Sequence, residues 1–97
     1  MVTMHPGEYF ALSYVEPYQI EPAEIAACLG MPQELVMAFL ARRAGVTAEL
    51  ALRLSLAFGR STESWLSMQS KFDLSQVREN IDVSTVRPFS FPRKDAA

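Results

Sequence analysis

Pro22-Ala23-Glu24-Ile25-Ala26-Ala27-Cys28-Leu29-Gly30-Met31-Pro32-Gln33-Glu34-Leu35-Val36-Met37-Ala38-Phe39-Leu40-Ala41-Arg42-Arg43 is the stretch that decides the fold. Proline suits the first turn of a helix, where the N–H it lacks has no partner anyway, so Pro22 and Pro32 each open one. Gly30 closes the first of the pair, because glycine enters the left-handed conformation without a Cβ clash. Only a few residues separate Leu29 from Pro32, so the second helix, reaching about Arg42, must turn sharply away from the first. Ile25, Ala26, Cys28 and Leu29 provide an inner side for the first helix, with Cys28 expected as a packed thiol. In the second, Leu35, Val36, Phe39 and Leu40 suit the core, which sends Met37, Ala38 and Ala41 outward.

The flanking sequence adds three more helices. Pro6-Gly7-Glu8 opens one that carries Tyr9, Phe10, Leu12 and Tyr14 and is expected to stop at Pro17. Thr47 caps another, whose Leu50, Ala51, Leu54, Ala57 and Phe58 keep helical spacing up to Gly59. Ser61 caps the last, with Glu63 in its first turn and Trp65, Met68 and Phe72 on one side, ending near Arg78 or Glu79. Pro88 and Pro92 forbid a helix through the remainder; Ile81 and Val83 allow either a short strand paired with another chain or a loosely docked extended tail. The reading is all-α: a five-helix domain over residues 1–79 and a short extended C-terminal tail over 80–97. There is no internal repeat.

Ninety-seven residues, 49% of them apolar and 21% charged, make one small domain with a real core. No apolar run is long enough for a membrane span, and the first residues lack the basic and apolar regions of a signal peptide, so a cytoplasmic protein with no membrane partner is expected. One cysteine and one histidine leave no internal disulfide and no His-rich metal centre, so no cofactor and no metal are expected. The serines Ser61, Ser64, Ser67, Ser70 and Ser75 have no histidine nearby in sequence to activate them, and an enzyme is not expected. Charge is unevenly spread. Residues 1–41 hold five acids and no Lys or Arg, whereas 42–97 hold all nine basic residues and six acids. With an isoelectric point near 5.3 a broad phosphate-binding surface is disfavoured, but a focused cluster at Arg42-Arg43 is not.

Two helices joined by a tight turn inside a five-helix chain form a helix-turn-helix arrangement. The runs His5-Pro6-Gly7-Glu8, Ala23-Glu24-Ile25-Ala26 with Leu29-Gly30, Gly45-Val46-Thr47-Ala48-Glu49-Leu50-Ala51-Leu52-Arg53-Leu54, and Trp65-Leu66 through Gln69 to Phe72-Asp73-Leu74 closely resemble HigA-type antitoxins. These are also described as virulence-associated protein I and belong to the Xre group of helix-turn-helix proteins. The resemblance spans about residues 5–75 in unbroken order. It implies a lambda-repressor-like domain, a homodimer, binding to operator DNA ahead of the chain's own operon, and neutralisation of a cognate toxin that cleaves messenger RNA.

Carried over position by position, the family's DNA-reading surface falls on Gln33, Glu34, Met37 and Ala38, followed by Arg42 and Arg43. Where such proteins usually have Ser, Arg or Thr at the start of the reading helix and Asn-Gly at its end, this chain has Pro32-Gln33-Glu34 and Ala41-Arg42. Gln33 suits bidentate contact with adenine; Glu34 accepts from cytosine and otherwise repels phosphate. Arg42 and Arg43 either grip phosphates or complement a helix C-terminus as a solvated pair. The apolar run Leu35 to Ala41 motivates the alternative: a protein-interaction module on a scaffold that has lost sequence-specific DNA binding. His5 is read as a local cap or packing residue, Arg53 as a structural or ion-pair residue, and Leu52 and Leu56 as additional core or a dimer contact.

Overall fold

The computed structural model describes residues 3–92. Its five helices are numbered α1 to α5 below, and no strand occurs among the described residues. Helix α1 is one helical run over 6–18: α-helical at Pro6–Phe10, widened to a π turn at Ala11–Val15, and α-helical again at Glu16–Tyr18. Helix α2 is Pro22–Leu29, α3 Gln33–Leu40, α4 Ala48–Phe58 and α5 Thr62–Asn80.

The expected stop at Pro17 is corrected by the π turn. Glu16 N–H donates to Ala11 O, five residues back, and this extra residue per turn puts Pro17 at the start of a new α-helical turn, where its missing N–H costs little. The helix ends instead at Gln19, left-handed at φ 53°. The two predicted caps are in place: Thr47 Oγ1 accepts from Leu50 N–H at 3.2 Å and Ser61 Oγ from Ser64 N–H at 3.0 Å.

The core joins one stripe from every helix: Phe10 of α1, Ile25, Ala26 and Leu29 of α2, Val36 and Phe39 of α3, Leu50, Ala51 and Leu54 of α4, and Trp65 of α5. Trp65 fills the centre and its indole N–H donates to Gly59 O at 3.1 Å, so its one polar atom is satisfied. Met68 and Phe72 are half-buried beside it.

Two side chains expected inside, Leu35 and Cys28, are outside, and Leu52 and Leu56, read as core or as a dimer contact, are outside too. Leu35 is 51% exposed, because a short α3 buries only the stripe of Val36 and Phe39. Cys28 is exposed: it sits about 100° round α2 from Leu29, off the edge of the buried stripe. Leu52 and Leu56, at 51% and 80% exposed, are not additional core. From Ile81 to Pro92 the chain has no regular structure apart from a single 3₁₀ turn at Val83–Thr85, where Asp82 accepts from Ser84 N–H and its hydroxyl; these bonds hold its carboxyl below the usual carboxylate range.

Candidate nucleic-acid interface

The turn between α2 and α3 is built from backbone bonds and one clamp. Gly30, at φ 66°, donates to Ala27 O at 3.4 Å, and Met31 N–H donates to Ala26 O at 3.1 Å, closing α2 in the two-bond manner that favours glycine. Arg53 reaches across from α4: its Nη1 donates to Leu29 O at 2.8 Å and Gly30 O at 3.1 Å, while its Nη2 lies 3.0 Å from Glu49 Oε2. A guanidinium thus satisfies carbonyls the helix end leaves open. The axes of α2 and α3 bend by 114°, within the range of a helix-turn-helix pair.

The far end of α3 is held by the His5-Pro6-Gly7-Glu8 segment. A Cβ on Gly7 would lie 1.9 Å from Phe39 O, so only glycine lets α1 approach α3 this closely. His5 Nδ1 accepts from Gly7 N–H at 2.9 Å, and its buried ring meets Phe72 edge-on at 4.9 Å. Burial lowers the His5 pKa, with Arg42 pushing the same way and Asp73 and Glu8 opposing. That direction suits the cap, which requires an unprotonated Nδ1. Glu8 Oε1 lies 3.2 Å from Arg42 Nη1.

Between these two anchors lies an uncovered strip. Gln33, Glu34, Met37, Ala41, Arg42 and Arg43 are exposed and Ala38 is half-buried. Gln33 Nε2 and Met37 Sδ, one helical turn apart, are 3.9 Å from each other. The strip therefore presents an amide fork, a thioether and a carboxylate along the helix, and two guanidinium groups just past its end. Amide and carboxylate groups suit base edges, and guanidinium groups suit phosphates. Arg43 makes no ion pair among the described residues, whereas Arg42 has the one to Glu8.

Sequence reasoning did not anticipate the Glu8–Arg42 pair or the role of Gln69. Gln69 Oε1, on α5, accepts from Val46 N–H at 2.7 Å and fixes the loop after α3. Gly45 leaves the room for it, since a Cβ there would lie 2.9 Å from Gln69 Oε1. The conjunction of His5-Pro6-Gly7-Glu8, Gly45 and Gln69 in the resemblance was the available signal. No group of three or more His, Cys, Asp or Glu that could hold a metal ion occurs among the described residues. No single helix among them is long and apolar enough to cross a membrane.

A 114° turn that leaves the outer side of α3 open within five helices defines a helix-turn-helix protein of the lambda-repressor-like kind. Comparison with known proteins places it more narrowly. Virulence-associated protein I of Dichelobacter nodosus is 31% identical over 80 residues, covering 82% of this chain and 74% of that protein. Among solved structures, antitoxin GraA aligns with a TM-score of 0.87 at 30% identity over 92% of this chain and 99% of its own, and GraA in complex with its operator aligns at 0.86 and 30% over 94% and 95%. An addiction module antidote protein of the HigA family from Coxiella burnetii aligns at 0.79 with 31% identity over 92% of this chain and all of its own. No family model matches the chain. The chain belongs to the HigA-type antitoxin family of Xre helix-turn-helix proteins.

Proposed function

We propose that this chain is the antitoxin of a toxin–antitoxin pair and represses its own operon by binding operator DNA as a homodimer. The observation that carries the reading is the open strip from Gln33 to Arg43, held at both ends, on a fold shared with an antitoxin solved on its operator. In the proposed complex α3 enters the major groove. Gln33 reads a base edge, Glu34 disfavours certain bases, Met37 and Ala38 face the groove, and Arg42 and Arg43 hold phosphates. Two such helices in a two-fold dimer meet half-sites roughly 34 to 36 Å apart. The domain responsible is assigned to residues 1–79, with 80–97 as its tail.

Neutralisation of a cognate toxin, a messenger-RNA-cleaving ribonuclease, is the second half of the reading. The family supports it, and growth rescue on co-expression with the product of the neighbouring reading frame tests it. Operator binding is tested by mobility shift on the chain's own upstream DNA at two salt concentrations. Tight, salt-sensitive binding to an inverted repeat is expected; no shift at micromolar protein would favour the protein-interaction module. Arg42→Ala with Arg43→Ala should weaken binding to all sequences, and Gln33→Ala should relax preference at one position.

A further inference from the structure

We propose that Glu8 competes with DNA phosphate for Arg42 and so sets how tightly this chain holds the duplex; the proposal rests on the DNA-binding reading. Arg42 stands directly beyond α3 at φ 62°. Its N–H donates to Phe39 O at 3.1 Å and Arg43 N–H to Ala38 O at 2.8 Å, the helix closure in which glycine is the ordinary occupant. A side chain in this left-handed conformation is strained, and such strain is characteristic of functional positions.

The pair with Glu8 does not explain why a side chain is kept there. Both groups are open to solvent, 59% and 41% exposed, and a pair so exposed adds little stability. What the strained position achieves is to hold a guanidinium at the edge of the strip, beside Arg43. The backbone that carries Glu8, in turn, is held in place beside Arg42. The close approach of Gly7 to Phe39 O and the His5 cap fix the turn that carries Glu8 against the end of α3.

A phosphate arriving at Arg42 therefore meets a carboxylate already within ion-pair distance. The guanidinium either releases Glu8 or holds both anions in its fork at the cost of their mutual repulsion. In both cases affinity falls for every sequence alike. Fewer counterions are released as well, because Arg42 starts from a partly neutralised state.

The test uses the full chain and its Glu8→Gln, Arg42→Ala and doubly substituted forms. Each is titrated by fluorescence anisotropy against its own upstream duplex and against a mixed-sequence duplex of about three helical turns, from about 50 to 200 mM salt. Glu8→Gln should tighten binding to both duplexes about three- to tenfold at low salt and steepen the salt dependence by up to about one ion. In the Arg42→Ala background the same change should alter affinity less than about twofold, the coupling expected of a direct pair. Unchanged or weaker binding by a Glu8→Gln chain with wild-type circular dichroism would overturn the proposal, weaker binding meaning that Glu8 positions Arg42 instead. Should no variant prefer the upstream duplex, operator recognition fails, yet the mixed-sequence duplex still decides the role of Glu8.

Discussion

Gly7 and Arg42 show opposite uses of a single position. At Gly7 the constraint is space, since the Cβ of an alanine would overlap the Phe39 carbonyl and force α1 away from α3. Gly7→Ala should therefore destabilise the fold by about 2 kcal/mol, the cost typical of overpacking, as read by urea unfolding. At Arg42 the constraint is conformation. Arg42→Gly should relieve the left-handed backbone, leaving stability unchanged or raised by up to about 1 kcal/mol, while weakening DNA binding. A thermal scan paired with a binding titration checks both halves. The need for a close approach at Gly7 cannot be read from His5-Pro6-Gly7-Glu8 alone, because the clashing atom lies more than thirty residues further along.

At the scale of the element, α3 depends on its neighbours. It has no side-chain N-cap, and its entry is set by the turn that Arg53 clamps from α4. Arg53→Ala should lower stability by about 1 to 2 kcal/mol and speed amide exchange at Met31, whose bond to Ala26 O closes the turn. Arg53→Lys should recover only part of this, because a single ammonium cannot reproduce the planar fork over two carbonyls. The start and type of this helix were legible from Pro32 and the apolar period. The outward placement of Leu35 was not, because a short apolar helix has more greasy residues than its neighbours have surface to cover.

At the scale of the molecule, His5 is a titratable group at the junction of three helices. His5 caps α1, contacts Phe39 of α3 and meets Phe72 of α5. Its pKa is lowered on folding, so the unfolded chain binds the extra proton more readily. Stability should be constant above the ordinary histidine value of about 6.5 and fall as pH drops from there toward the lowered folded value. Chemical unfolding between these limits should show the slope, and His5→Asn should flatten it. The radius of gyration of 18.4 Å, against about 12 Å for a compact chain of this length, shows the end of α5 and the residues after it up to Pro92 standing away from the body. Leu74, Val77 and Ile81 there form a half-exposed apolar stripe.

The sequence by itself determined the five helices, the caps at Thr47 and Ser61 and the turn at Gly30, because proline, glycine, cap hydroxyls and apolar periodicity act within a few residues. It also carried the family, through short runs in fixed order. Only the tertiary structure decided that Cys28 and Leu35 face solvent, that Pro17 lies within a helix, and that Glu8 meets Arg42. Each of these depends on which surfaces remain uncovered, or on atoms brought together from distant parts of the chain, and local patterning has no access to either.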